Sequence, residues 1–289
     1  MKKLYIVIAI LFLSTGSMFA QLNDLLKIED KPVRTPFDAG MVIDNQTVYM
    51  PVAKTLDFNI GHRFDEIKEI SNLYGIYGSS NIRMGLNYTV TDWLQIGIGT
   101  TKFRKLQDIG LKLNLLEQTR ENKIPVAVSF YGNMGIDARS EAYFGKDYKF
   151  TNRLSYFSQL IIARKFTDWL TVQVAPSFSH INRVDSVMEH DKIGISFAFR
   201  IKVSPQSAIV FNYDLPLHIE GIQEHTTLTN KPLPNFGIGW EIATSTHAFQ
   251  IFIATSTALS PQYTMMENQN DWTDGQIFFG FYINRLWSF

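Results

Sequence analysis

The sequence predicts an all-β fold: a closed antiparallel transmembrane β-barrel of about twelve strands, following an irregular N-terminal segment. Three observations predict it. Apolar and polar side chains alternate along twelve stretches, the connections between these stretches alternate between long and short, and the polar face is small rather than heavily charged. Successive side chains on a strand point to opposite sides, so alternation marks a strand lying between two different environments.

Met1-Lys2-Lys3 is a short positive start, Leu4 to Leu13 is an unbroken apolar run, and Ser14 to Ala20 is a small-residue region ending in Met18-Phe19-Ala20. This is the layout of a secretory signal peptide over residues 1–20, with cleavage expected after Ala20. The apolar run would span only about 15 Å as a helix, half of a roughly 30 Å hydrocarbon core, which excludes a helical anchor. No later stretch is long and apolar enough to cross as a helix. Residues 21–54 read as irregular. Leu22 to Ile28 suits a short helix, and Pro32, Pro36 and Pro51 interrupt the remainder. This segment is expected to serve as a plug or a periplasmic tether, and residues 55–289 as the barrel.

The twelve stretches run in order along the chain. Leu56, Phe58 and Ile60 oppose Asp57, Asn59, Gly61 and Arg63; Ile82 to Val90 opposes Asn81, Arg83, Gly85, Asn87 and Thr89; Leu94, Ile96 and Ile98 oppose Gln95, Gly97 and Gly99. Ile109 to Leu115 opposes Gly110, Lys112 and Asn114; Val126, Val128 and Phe130 oppose Ala127, Ser129 and Tyr131; Leu154 to Ile162 opposes Arg153, Ser155 and Gln159. Leu170, Val172 and Val174 oppose Thr171, Gln173 and Ala175, and Ile193 to Ile201 opposes Lys192, Gly194, Ser196, Ala198 and Arg200. The last four are Ile209-Phe211-Tyr213, Phe236 to Ile242 with Glu241 opposite, Phe249-Ile251-Ile253, and Ile277 to Ile283. In the ninth and eleventh the second face is itself partly apolar.

A soluble sandwich alternates too. The connections favour a barrel: 64–79, 103–107, 137–150, 182–191, 214–234 and 257–273 are the odd-numbered ones, whereas the even-numbered Thr91-Asp92, Glu117 to Lys123, Thr167-Asp168, Ser204 to Gln206 and Thr244 to Thr246 are mostly tight. Long outer loops and short periplasmic turns are the pattern of bacterial barrels. Trp93, Trp169, Trp240, Trp287, Tyr88 and Tyr213 lie near strand ends, where amphipathic rings favour the membrane interface. Thr91-Asp92-Trp93-Leu94 recurs as Thr167-Asp168-Trp169-Leu170, and hairpin chemistry is enough to explain it.

Composition narrows the function. The chain has 27 basic and 27 acidic side chains; removal of the leader, with Lys2 and Lys3, leaves 25 basic against 27 acidic. Charge-driven binding of nucleic acid is excluded. With no Cys there is no disulfide, thiolate metal site, thiol nucleophile or lipoprotein anchor. The expected location is the bacterial outer membrane, with outer-membrane lipid and the barrel-assembly machinery as partners.

The inward face is expected to carry Asp57, Arg63, Arg83, Asp108, Lys112, Arg153, Lys192, Arg200, Lys202 and Glu241, seven basic residues against three acidic. The residues assigned to the lumen lining are Arg63, Arg83, Lys112, Arg153, Lys192, Arg200 and Glu241. A basic lining concentrates anions, so the chain reads as a small pore or uptake channel with mild anion preference and a small anionic solute as cargo. The alternative is a closed barrel acting as a surface receptor or a structural subunit of an envelope complex, since twelve strands lie between a filled barrel and an open one. A lipid hydrolase is the third reading. It would need Ser and His within hydrogen-bond reach, and Ser179 and His180 point to opposite faces of one strand. His62, His190, His218, His225 and His247 are scattered, and neither a metal site nor a cofactor motif stands out.

Leu56-Asp57-Phe58-Asn59-Ile60-Gly61-His62-Arg63-Phe64, Asn81-Ile82-Arg83-Met84-Gly85-Leu86 leading into Thr91-Asp92, Arg153-Leu154-Ser155-Tyr156, Ile162-Ala163-Arg164-Lys165-Phe166 and Gly280-Phe281-Tyr282-Ile283-Asn284-Arg285 carry a resemblance. With them the mature chain resembles an uncharacterised family of outer-membrane β-barrels from the Bacteroidota, a domain of unknown function. The resemblance implies the barrel and the location and brings no activity. Asp65 stands where that family usually has Gly after His-Arg-Phe, a departure at the turn and not in the fold.

The chain's last residue is aromatic. Phe281, Ile283, Trp287 and Phe289 share one face of the final strand, interrupted by Arg285, and resemble the terminal signal by which such barrels are recognised for insertion. Strand addition gives that recognition its physical basis.

Overall fold

Twelve antiparallel strands close on themselves in the computed structural model, which describes residues 30–34, 36–219 and 231–289. They are β1 (Thr55–Glu66), β2 (Asn81–Thr91), β3 (Leu94–Thr101), β4 (Leu106–Leu116), β5 (Ala127–Ile136) and β6 (Leu154–Lys165). The second half comprises β7 (Leu170–Ile181), β8 (Asp191–Lys202), β9 (Ser207–Pro216), β10 (Asn235–Ala243), β11 (His247–Ala254) and β12 (Phe278–Ser288). Each pairs with its sequence neighbours, and β12 pairs with β1 from Ser288 against Thr55 to Phe278 against Glu66. At about 3.3 Å per residue and a tilt near 40°, eleven residues rise roughly 28 Å, enough for the apolar band of a membrane barrel.

All twelve stretches marked by alternation lie in these strands. The ends differ in places: β9 runs through Asp214 to Pro216, into a stretch that reads as loop, because Asp214 faces inward and is buried. Arg153 ends a short 3-10 turn before β6 rather than opening the strand. The expected signal peptide, the helix at 22–28 and residues 220–230 of the long β9–β10 connection lie outside the described residues.

The two faces are chemically opposite. On β8, Lys192, Gly194, Ser196, Ala198 and Arg200 turn inward, and Ile193, Ile195, Phe197, Phe199 and Ile201 turn outward. The interior is therefore rich in Asn, Gln, Ser, Thr and charge, whereas Met84, Ile96, Ile98, Ile109 and Ile251 lie bare on the outside. That inversion suits lipid, where an outward apolar side chain is already in its preferred medium and closure leaves no backbone edge unpaired.

Two elements fill the barrel. Residues 36–50 rise from the short-turn end into the lumen, reverse in a small hairpin that pairs Met41–Val42 with Asn45–Gln46, and descend to β1. Phe37, Val42, Ile43 and Val48 join the buried cluster. Below it, Val33 N–H donates to the Gln118 carbonyl (2.9 Å) beside the β4–β5 turn, and Ala53 N–H donates to Asp92 (3.1 Å) at the β2–β3 turn. From the long-loop end, the β11–β12 connection folds inward as α1 (Pro261–Glu267), with Pro at its first turn, where no intrahelical N–H is needed. Tyr263, Met265 and Met266 of α1 are buried, and Gln262 Nε2 donates to Asn133 Oδ1 and Ser155 Oγ, both at 3.2 Å.

Candidate functional site

The lumen is where the inward charges meet the segment 36–50. Period-two alternation delivers Asp57, Arg63, Arg83, Lys112, Lys192, Arg200 and Glu241 to the inside, and all but the partly shielded Arg83 are buried. Arg153 is the exception. Its guanidinium lies at the outer rim, donating to the carbonyls of Asp137 (2.7 Å) and Arg139 (2.6 Å) and to the Tyr148 hydroxyl (2.7 Å), because the chain has not yet entered the strand.

The segment is gripped along its length by polar groups of the wall. Thr171 Oγ1 donates to the Pro36 carbonyl at 2.8 Å, and Asp38 pairs with Arg200. Lys112 Nζ donates to the Gly40 (3.4 Å) and Tyr49 (3.3 Å) carbonyls. Gln250 reads the hairpin from both sides: its Nε2 donates to the Met41 carbonyl (2.8 Å) and its Oε1 accepts from Ile43 N–H (2.9 Å). That grip coincides with a left-handed backbone at Ile43 (φ 55°), an outlier conformation for a β-branched residue. Gln173 Nε2 donates to the Gln46 carbonyl (2.7 Å), and Asp44 near the tip pairs with Arg63 (2.5 Å) and accepts from Asn235 (3.1 Å).

The wall also pairs within itself. Arg83 holds Asp108 through Nε (3.1 Å) and Nη2 (2.6 Å), Arg200 Nε donates to Glu241 (2.7 Å), and Lys192 pairs with Glu189. Asp57 accepts from Asn87 (3.3 Å) and Asn284 (3.1 Å), and Asp214 from Asn212 (3.0 Å) and Asn235 (2.8 Å). The basic excess read from alternation thus disappears, because Asp38, Asp44, Asp214 and Glu189 do not enter that count and bring the acids from three to seven. Asp38 and Asp44 sit in a segment without periodicity, Glu189 in a loop, and Asp214 on a strand whose second face is half apolar. For the two segment acids the available signal is only their place between apolar Phe37, Val42 and Ile43.

Little space remains. A cavity of about 20 Å³ lies between segment and wall near Arg83, Lys112 and Tyr131, and one of about 10 Å³ lies between Asn45 and Met265, each room for about one water. Toward the long loops a larger pocket of about 580 Å³ opens between Lys102, Phe103, Tyr263 and Asn270, with Arg63 in its lining. Its edge is latched by Arg104, which holds both oxygens of Glu267 (2.7 and 2.8 Å) and lies over the Tyr263 ring. Burial pushes the Glu267 carboxyl up, against the pull of Arg104.

A family model described as Membrane bound beta barrel domain (DUF5777) matches residues 37–287. The chain belongs to this family. The match opens at Phe37, so the DUF5777 domain takes in all but the first residue of the lumen segment and all twelve strands except the final residue of β12. Among curated proteins none matches the chain. Solved structures share the fold. The COG4313 outer membrane channel from Pseudomonas putida F1 aligns with a TM-score of 0.50 at 11% identity over 83% of this chain and 97% of its own. The NanC porin aligns at 0.48 and 6% identity over 80% and 98%, and the KdgM porin at 0.46 and 5% over 81% and 99%.

Within this DUF5777 barrel the serines and histidines considered for hydrolysis stay apart. Ser179 is buried on the inner face of β7, and Ser177 Oγ donates to the Gly194 carbonyl (3.3 Å). His180 turns outward, with Nδ1 on Asp191 (2.7 Å) and Nε2 on Asn182 (2.6 Å). His225 lies outside the described residues. Phe281, Ile283 and Trp287 face outward on β12, with Arg285 over the Trp287 ring (5.1 Å), and Phe289 projects bare at the end.

Proposed function

We propose that the chain is an outer-membrane barrel held closed by its own residues 36–50, which act as a plug, and that small solutes pass when the plug leaves. One observation carries this reading: beside the buried apolar contacts of Phe37, Val42, Ile43 and Val48, the segment is held by polar contacts that water can replace, and the charged groups of the wall are largely paired without it. Arg83–Asp108, Arg200–Glu241 and Lys192–Glu189 survive its departure. The face it would uncover is lined by hydrophilic groups able to hydrate.

With the plug out, Arg63, Arg83, Lys112, Lys192, Arg200 and Lys202 face Asp57, Asp108, Glu189, Asp214 and Glu241. The basic side leads by a single charge, so the anion preference suggested by the basic count is expected to be slight. In planar bilayers the full chain should be quiet, and a variant lacking 36–50 should give discrete conductance steps with Cl⁻ only weakly favoured over K⁺. Silent bilayers from the assembled deletion variant, and from an Asp38→Asn/Asp44→Asn double variant, would sink the channel and leave a filled barrel serving as receptor or envelope subunit.

We also propose that Phe289, with Phe281, Ile283 and Trp287, directs insertion by the assembly machinery. Deleting Phe289 should spare export and reduce heat-modifiable, protease-resistant barrel. Assembly at the normal level would make Phe289 a girdle residue only.

A further inference from the structure

We infer that the pocket at the long-loop mouth is a binding site for a small carboxylate solute, and that occupation of its Arg63 displaces Asp44 and frees the plug. This rests on the closed-barrel reading and adds its trigger. Arg63 is fully buried, and its cationic face lies 4.7 Å from the Phe252 ring centroid. Among the described residues it has a single acidic partner, Asp44, through Nη2 at 2.5 Å. Its Nε and Nη1 have no hydrogen-bond acceptor among the described residues. A guanidinium carries five N–H donors in a planar fork suited to a carboxylate, so one contact leaves most of that capacity unused.

The pocket adjoining Arg63 has the rest of such a site. At about 580 Å³ it falls within the range of small-molecule pockets. Lys102 supplies a second cation at its rim, with Nζ on the Ser80 carbonyl (2.8 Å), and Phe103 and Tyr263 form an edge-to-face aromatic wall. The acids nearby are already engaged: Glu267 is held by Arg104, and Asp65 accepts from the Glu66 and Ser79 N–H groups. Hydroxyl and amide groups from Ser79 to Asn81 and from Thr257 to Asn270 line the remainder, which suits a hydroxylated organic acid.

Arg63 has no exposed atom, so a carboxylate reaches it only as the packing around the guanidinium yields, and Asp44 is the acid that it would replace there. Binding and unlatching then become one competition, and by linkage whatever weakens the Asp44 contact must strengthen the solute.

Sodium gluconate is the probe, with sorbitol and sodium chloride as neutral and non-carboxylate controls, on the full chain in lipid nanodiscs. Calorimetry should show gluconate binding, roughly tenfold tighter in Asp44→Asn and lost in Arg63→Gln. Unchanged affinity in Asp44→Asn overturns the competition, and retained affinity in Arg63→Gln overturns the site. The chain has no cysteine, so Ile43→Cys reports on the plug tip through its maleimide labelling rate, with Val48→Cys as a second reporter if the first fails to fold. Gluconate should speed labelling several-fold and the controls should not. Slow labelling with and without gluconate overturns the trigger while leaving the closed barrel standing; labelling at the rate of an unprotected thiol without gluconate overturns the closed barrel itself.

Discussion

Two arginines anchor the lumen segment, and they are not equivalent. Arg200, toward the short turns, holds Asp38 of the segment and also Glu241 of the wall, whose other oxygen accepts from Gln250 at 2.8 Å. Arg63, toward the long loops, holds Asp44 and no other acid among the described residues. If the segment withdraws, Arg200 remains paired inside the wall and Arg63 loses its acidic partner; if Asp44 alone is neutralised with the segment in place, Arg63 is a buried lone charge. The lower anchor therefore adds a second acid to a pair that stands alone, whereas the upper one completes a site that is otherwise unfinished. Buried charges without partners are far more expensive than buried pairs, so the latch should be strongest at the tip.

The most damaging single change should be Asp44→Asn. Leaving Arg63 uncompensated costs about 3 kcal/mol, at the low end for a broken buried pair, and should raise Ile43→Cys labelling roughly a hundredfold. Asp38→Asn should do less, about 1 kcal/mol and at most tenfold, because Arg200 keeps Glu241 and Asp38 is itself partly exposed. Equal effects from the two would erase the distinction between the anchors. Smallest of all, Arg104→Ala should cost no more than about 1 kcal/mol, since the Arg104–Glu267 pair is partly solvated. Its signature should be faster proteolysis of the α1 connection with tip labelling unchanged; a change in tip labelling would mean that α1 and the segment move together.

The legibility of the molecule divides along the same line. The strands can be read because alternation is local: each side chain's face is set by its neighbours, and lipid outside against polar groups inside makes the contrast sharp. Even there, alternation ends β9 too soon, since Ala208 and Val210 blur its inner face and hide Asp214. It also places Arg153 inward, because a run of alternation does not say where the backbone stops being extended.

The lumen is legible only in half. Which wall residues point inward is a property of the strands, and Arg63, Arg83, Lys112, Lys192, Arg200 and Glu241 follow from it. What they touch is not. Asp44 meets Arg63 across nineteen positions and Asp38 meets Arg200 across 162, through a segment with no repeating pattern. By itself the sequence determined a closed barrel with a polar interior, because pairing between adjacent strands and the two-residue period need no distant information. Only the tertiary structure decided that the interior is occupied and its charge neutralised, because an irregular chain finds its place by meeting partners that closure of the barrel has first brought together.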